Sequence, residues 1–378
     1  MRIVDLFSGA GGLTFGFWYR QLNGNFVRNN NWDIIFANEY DSAAAHAFSL
    51  NYPTINMIND DIHNLTAEKI HNLIGDEEVD LIIGGPPCQS YSYVGKRKYD
   101  DKAKLYNEYY RILSIIQPRM FLFENVKGIL SMKDEDKNLV IDNIEATFAK
   151  INDNLGYRIS YQTIDAVEFG VPQHRERVFI IGIRDDLNIT WSFDNLVKEA
   201  TELTLEDAIS DLPTVNPGDD IQQYDGNKLP VNNYQRLMRG TNQNLSAHFC
   251  ALYGDKIQTV IDHVPEGEGR AYINNLVATG VLDKKYELTS GYKNTYGRLW
   301  HDKPCTTITN NMSTPSGLRC IHYDQNRALT PREGARIQSF PDWFQFYGNK
   351  RNVKTQIGNA VPPLLAMKFA EQLELILG

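Results

Sequence analysis

The run Gly84-Gly85-Pro86-Pro87-Cys88-Gln89-Ser90 contains the side chain best suited to covalent chemistry. A thiol presented on a rigid turn is a nucleophile once it loses its proton. The apolar segment before it, Val79 to Ile83, reads as a buried parallel strand. Two glycines and two prolines then stop that strand and leave Cys88 just past its carboxyl end, the edge where open α/β sheets place their ligands. A lone cysteine is more often a small buried apolar side chain. That ordinary role does not account for consecutive prolines ahead of so short a polar loop.

Other polar residues fall at the same edge. Glu124 follows the strand Met120 to Phe123, in the turn Glu124-Asn125-Val126. Taken alone, a glutamate there is more often a cap or a surface residue. Beside a thiol it becomes half of a working pair. The run Gln173-His174-Arg175-Glu176-Arg177 enters a further strand, in which alternation would point Arg175 and Arg177 the same way. Paired arginines suit an anion or a carboxylate that must be held in place.

Near the amino terminus, Phe7-Ser8-Gly9-Ala10-Gly11-Gly12 lies between a strand and a helix. Its small residues allow a ligand close to the backbone, and the helix terminus favours a negative group. The spacing is not the dinucleotide fingerprint GxGxxG. Glu39 follows the second strand, where an acidic residue commonly accepts hydrogen bonds from ribose hydroxyls. Asp61-Ile62 follows the third and could bracket an adenine. Each has an ordinary role as turn or cap. In this order they point to an adenosine-containing cofactor without a pyrophosphate.

The elements that must position these residues alternate. Strands are expected at Arg2–Leu6, Ile34–Ala37, Ile55–Ile58, Val79–Ile83, Met120–Phe123 and Val178–Ile183, with helices at Leu13–Tyr19, around Ala43–Ala45 and at Leu105–Ile116. This order implies an α/β fold, a doubly wound and mostly parallel sheet with helices on both faces. After about residue 185 the elements shorten, and breaks recur at Leu212-Pro213, Asn216-Pro217-Gly218 and Pro265-Glu266-Gly267, as in a smaller loop-rich domain. The apolar helix Leu364–Leu377 should return to the first sheet.

Composition narrows the classes. The chain has 378 residues, 42% of them hydrophobic, enough for a large core and two domains. No apolar run can span a bilayer, and the first residues enter a strand at once instead of forming a signal peptide. Cys88, Cys250, Cys305 and Cys320 form neither a disulfide scaffold nor a CxxC zinc site. A reducing cytoplasm is the expected setting, with no metal. The net charge of -9 argues mildly against a nucleic-acid partner. Local basic clusters count for more than the total: Lys96, Arg97, Lys98, Lys102 and Lys104, then Arg236 and Arg239, then Arg327, Arg332 and Arg336. Such clusters are usually solvated surface, but their recurrence beside the candidate chemistry favours a phosphate-facing cleft.

With these residues in view the chain resembles the S-adenosylmethionine-dependent DNA cytosine-5 methyltransferases, of the bacterial or phage restriction-modification type. The matching segments run in the family's order: Asp5 to Gly12, Asn38 to Asp41, Asp60 to Ile62, Gly84 to Ser92, Glu124 to Val126, Gln173 to Arg177, Arg332 to Pro341 and Gly358 to Val361. Only residues 186 to 295 match weakly. The resemblance implies a catalytic and cofactor domain over 1–185, a target-recognition domain over 186–350 and a C-terminal segment, 351–378, returning to the first. It implies addition of Cys88 to carbon 6 of a cytosine, with Glu124 at ring nitrogen 3, Arg177 at the base oxygen and Arg175 supporting them. S-adenosyl-L-methionine, leaving as S-adenosyl-L-homocysteine, would contact Phe7, Ala10, Gly12, Leu13, Glu39, Tyr40, Asp61, Ile62, Gly85, Leu105, Asn359 and Ala360.

The implied partner is double-stranded DNA, with the target base flipped out because a stacked base cannot reach the thiol. Gln89, Ser92, Val94, Lys96 and Arg97 are expected on the DNA from a closing loop, and Arg236, Arg239 and Arg298 from the second domain, among polar residues that include Asn242, Gln243 and His248. Arg332, Arg336 and Gln338 read as mainly structural. A cognate endonuclease is expected as a genetic partner and not as a stable complex, and the enzyme itself as a monomer. The rival readings are an RNA cytosine methyltransferase of the same fold, disfavoured by the long variable stretch; a binding-only paralogue, disfavoured by Cys88, Glu124 and Arg177; and a nicotinamide oxidoreductase, disfavoured by the missing GxGxxG.

Overall fold

The computed structural model describes residues 1–87, 104–289, 291 and 294–378. Among them, a seven-stranded sheet is built from β1 (Arg2–Leu6), β2 (Asp33–Asn38), β3 (Asn56–Ile58), β4 (Leu81–Gly84), β5 (Met120–Val126), β6 (Tyr157–Asp165) and β7 (Glu176–Arg184). Their spatial order is β3-β2-β1-β4-β5-β7-β6. The pairs from β3 to β5 are all parallel, and β7 runs antiparallel to both β5 and β6. The chain order reverses at β1 and β4, so a crevice opens outside their carboxyl ends, as in other doubly wound sheets.

The central strands are apolar at consecutive positions because both faces are covered. Ile3, Leu81, Ile83, Met120 and Leu122 belong to one hydrophobic cluster, and Val4, Leu6, Ile82, Phe121 and Phe123 to the other. The helices α1 (Gly12–Trp18), α2 (Ser42–Asn51), α3 (Ala67–Ile74), α4 (Tyr106–Ile116) and α5 (Val140–Phe148) alternate with the strands. Ile70, Tyr109, Ile112 and Ile144 place α3, α4 and α5 on the second cluster. Phe15 and Phe48 place α1 and α2 on the first.

Beyond the sheet come α6 (Leu205–Ile209), α7 (Asn233–Arg239), α8 (Asp255–His263), α9 (Arg270–Ala278), α10 (Pro331–Ile337), α11 (Lys350–Asn359) and α12 (Pro363–Leu377). The last helix does return to the sheet, with its Phe369 ring 4.4 Å from Phe179 of β7. Leu196, Leu205, Met238, Leu299 and Phe340 pack in the same cluster as Ile3, so that core continues across residue 185. A separate small core is built from Val260, Ile261, Val264, Ile273, Leu282, Leu288 and Ile321.

Several elements differ from expectation. Glu124, Asn125 and Val126 are part of β5 and not a turn beyond it, because β7 pairs with β5 as far as Val126. The glycines do not stop β4 at Ile83, since Gly84 still pairs with Phe123. Strand β6 was not anticipated. It lies at the sheet edge, and its polar sequence YRISYQTID has only Tyr157 and Ile164 fully buried. No helix among the described residues is long and apolar enough to cross a membrane.

Candidate active site

Glu124 and Arg177 meet because β5 and β7 are antiparallel neighbours. In the register Glu124 faces Phe179 and Val126 faces Arg177, so the two charged side chains are diagonal partners. Arg177 Nε lies 3.1 Å from Glu124 Oε1, and both side chains are about 15% exposed or less. Burial raises the Glu124 carboxyl above its ordinary range, while Arg177 and then Arg175 pull it down. Burial therefore shifts this carboxyl towards its protonated form, the direction a general acid needs.

Gly85 lies on this carboxylate. A Cβ at that position would fall 2.8 Å from Glu124 Oε2, so only glycine permits the approach without displacement. Asn125 Nδ2 donates to the Pro86 carbonyl at 3.1 Å. The Gly84–Pro87 segment is therefore fastened beside Glu124. Cys88, Gln89, Ser92, Val94, Lys96 and Arg97 lie outside the described residues.

Arg175 occupies a different place from the one strand alternation predicts. It precedes β7, and its buried guanidinium donates to Ile308 O at 2.8 Å, Gly358 O at 3.0 Å and Ala360 O at 2.9 Å. It acts as a positioning residue that ties the approach to β7 onto the end of α11. Gln173 reinforces the tie, donating to Ile337 O and Gln338 Oε1 and accepting from Ile308 N–H.

A second constellation surrounds the carboxyl ends of β1, β2 and β3. Phe7 adopts a left-handed backbone (φ 57°), a conformation that costs a non-glycine residue about 1 kcal/mol or more. The turn it opens lets Ser8 N–H donate to Asn38 O. Gly9 N–H and Asp41 N–H donate to the two oxygens of Glu39, at 2.8 and 2.7 Å. Each oxygen keeps a lone pair for a further donor. Burial raises the Glu39 carboxyl, with the backbone bonds pulling it down. Tyr40 beside it is 73% exposed.

Gly12, at the start of α1, approaches the C-terminal segment so closely that a Cβ would fall 2.5 Å from Val361 O and 3.0 Å from the Ala360 Cβ. Ala10, Gly12 and Leu13 are buried, Leu105 is half-buried before α4, and Asn359 is exposed at the end of α11. Asp61 Oδ1 accepts from His63, whereas the Ile62 side chain is buried in the second cluster and turned into the core. An exposed ring, a carboxylate with spare acceptor capacity and a tight glycine turn suit a nucleoside carrying ribose hydroxyls. They fit the adenosine part of S-adenosylmethionine.

The model for the C-5 cytosine-specific DNA methylases matches residues 1–375. The chain belongs to that family. The type II methyltransferase M.DdeI of Desulfomicrobium norvegicum is 34% identical to it, over 99% of this chain and 88% of that protein. M.AgeI of Thalassovita gelatinovora is 30% identical, over 99% of each. Among solved structures, a putative DNA modification methyltransferase encoded within an E. coli prophage superposes with a TM-score of 0.73 and 27% identity, covering 100% of this chain and 99% of that one. The S. pombe Dnmt2 methyltransferase, at 14% identity and a TM-score of 0.57 over 99% and 98% of the two chains, shares the fold.

The methylase thus has the expected Rossmann-like α/β architecture, and its family uses S-adenosylmethionine. Its second region corrects part of the sequence reading. Arg298 is buried, donating to the carbonyls of Val264, Ile261, His322 and Gln325 and to Asn326 Oδ1, which leaves it turned away from any external phosphate. Arg239 is also buried, stacked 3.5 Å over Tyr224 and bonded to Lys228 O. His248 lies between Thr330 Oγ1 and Pro213 O. Arg327 pairs with Glu333, and Arg336 with Asp211 and Asp342, all inside the protein, so the charges of these arginines are met within the fold. Arg332 and Gln338 are buried as well, in keeping with their structural reading. Arg236 is exposed on α7, where Asn233 Oδ1 accepts from it.

Sequence reasoning gave no role to Asn125, Gln173 or His63. Asn125 and Gln173 lie inside quoted motifs, and a polar amide beside an apolar strand is a signal that a bond must be made there.

Proposed function

We propose that this methylase transfers a methyl group from S-adenosylmethionine to carbon 5 of a cytosine flipped out of a specific duplex sequence, through a transient bond to Cys88. The observation that carries this reading is the Arg177–Glu124 pair, largely buried at the sheet edge beneath the Gly84–Pro87 segment that leads directly to Cys88.

Carbon 5 of cytosine is a poor nucleophile while the ring is conjugated. Addition of the Cys88 thiolate to carbon 6 breaks that conjugation and places electron density on carbon 5. Glu124, whose carboxyl burial shifts towards the protonated form, donates to ring nitrogen 3 as the addition proceeds. Arg177 fixes the Glu124 carboxyl and offers donors to the base oxygen. Arg175 acts at one remove, by holding the segment that delivers Arg177. The bound cofactor supplies an electrophilic methyl group on a sulfonium. Phe7, Ala10, Gly12, Leu13, Glu39, Tyr40, Asp61, Gly85, Leu105, Asn359 and Ala360 would hold it. Carbon 5 takes that methyl group as S-adenosylhomocysteine leaves. A base such as water then removes the carbon 5 proton, the nitrogen 3 proton returns to Glu124, and Cys88 is expelled as its thiolate with the aromatic ring restored.

Residues 186–350 are the proposed reader of sequence, with Arg236 among the phosphate contacts. In the cytoplasm of a bacterial or phage-infected cell, the modification would protect DNA from a partner endonuclease. Bisulfite sequencing of plasmid DNA from cells expressing the chain tests the proposal. Protected cytosines should recur in one sequence context and vanish with Cys88→Ala. Random protection, or protection that survives Cys88→Ala, contradicts it.

A further inference from the structure

We infer that His63 is a positioning residue for the cofactor, aiming the Asp61 carboxylate at the exocyclic amine of the adenine. The inference rests on the cofactor reading given above and assigns a role to a residue which that reading leaves idle.

His63 follows the turn that ends β3. Its Nδ1 lies 2.6 Å from Asp61 Oδ1, and its backbone N–H donates to the same oxygen at 3.0 Å. Both bonds converge on Oδ1, and Asp61 Oδ2 has no hydrogen-bond partner among the described residues. Two donors on one oxygen fix the rotation of the carboxylate and leave the other oxygen as the acceptor. The neighbouring Asp60 is engaged differently. Its Oδ1 accepts from Asp61 N–H and Asn64 Nδ2, closing the turn. Of the two adjacent aspartates, the structure therefore reserves Asp61 for an external donor.

On its other side the ring faces α4. Its Nε2 lies 4.0 Å from Glu108 Oε1 on α4, and Glu108 Oε2 accepts from Arg111 Nε at 2.8 Å. Arg111 reaches back to the carbonyls of Leu65 and Ile62 at 2.7 and 2.9 Å. Arg111 thus ties α4 to the adenine-side turn beside the His63 ring. The bond to His63 also lowers the Asp61 carboxyl below its usual value, so it stays an acceptor at neutral pH.

The test is calorimetric binding of S-adenosylhomocysteine, and of its analogue lacking the 6-amino group, to the wild type and to His63→Ala, His63→Asn and Asp61→Ala. His63→Ala should weaken the amino-bearing nucleoside about three- to fivefold, the range for one partly exposed hydrogen bond. It should leave the analogue unchanged, and His63→Asn should restore most of the loss. At saturating cofactor, kcat should stay at the wild-type value while KM for the methyl donor rises. Equal losses for both nucleosides, or no loss for either, would overturn the role of His63. If Asp61→Ala also fails to discriminate between the nucleosides, the adenine reading fails in its own right.

Discussion

The sheet edge and the region after residue 185 use charged side chains in opposite ways. At the edge, Glu124 and Arg177 form one direct ion pair on neighbouring strands, and Glu39 is steadied by two backbone N–H groups with acceptor capacity to spare. In the later region Arg239, Arg298, Arg327, Arg332 and Arg336 are buried against carbonyls, aromatic rings or carboxylates of their own chain. A sequence shows both as polar residues in a basic neighbourhood. The difference arises from the backbone beneath them. The central strands of the sheet bury both faces and leave a few polar residues at their ends. A loop-rich region has many unpaired carbonyls, and an arginine fork satisfies several at once.

The largest expected effect separates the two regions by chemistry. Glu124→Gln keeps the size of the side chain but removes the acid, so the single-turnover methylation rate should fall about a hundred- to ten-thousandfold while the melting temperature changes little. A rate within a few-fold of wild type would remove Glu124 from the mechanism.

The second separates them by stability. Arg298→Met leaves several buried carbonyls without donors and should cost about 2–4 kcal/mol in denaturant unfolding. The salt dependence of DNA binding by the folded variant should be unchanged. An altered salt slope with intact stability would return Arg298 to the DNA surface.

The third concerns pH and Glu124. Burial raises this carboxyl and Arg177 lowers it. Replacing Arg177 by Gln removes the lowering charge, so the alkaline limb of the rate profile should move to higher pH, on top of any loss of rate. A limb that stays in place assigns that ionisation to another group.

Asp5 provides a stability test within the sheet itself. Burial pushes its carboxyl up to about 8 from 3.8, despite a bond from the Thr14 hydroxyl. The folded protein then holds a proton that the unfolded chain has released. This contribution is complete below about pH 4 and is lost as pH rises towards 8. Asp5→Asn should flatten the fall in melting temperature between pH 5 and pH 8. Parallel curves for the two proteins would count against a buried proton at Asp5.

The smallest effect belongs to Arg236, exposed on α7. Arg236→Ala should leave stability within about 0.5 kcal/mol and lower the slope of log affinity against log salt by about one. An unchanged slope would place α7 away from the phosphates.

Much of the catalytic edge was legible because strand ends carry strong signals. Apolar runs at Leu81–Ile83, Met120–Phe123 and Val178–Ile183 located the strands, and glycine and proline located the turn. Strand β6 escaped because an edge strand with polar residues on one side lacks the apolar run of its neighbours. The fate of the later arginines escaped for a different reason. Whether a guanidinium meets a carbonyl or a phosphate depends on contacts between residues far apart in the chain, such as Arg298 with Ile261 and Val264. Arg175 shows the same limit within a recognised motif, since its partners at 308, 358 and 360 lie more than a hundred residues on.

The central claim is a covalent bond between Cys88 and an extruded cytosine. It is tested most directly by incubating the enzyme with S-adenosylmethionine and duplex DNA bearing 5-fluorocytosine at the modified position, then mapping the product by mass spectrometry. Fluorine cannot leave as the proton does, so the bond should persist, with the modified nucleotide attached to the peptide containing Cys88. Attachment elsewhere, or no adduct from a preparation that fully methylates the unfluorinated duplex, would contradict the account.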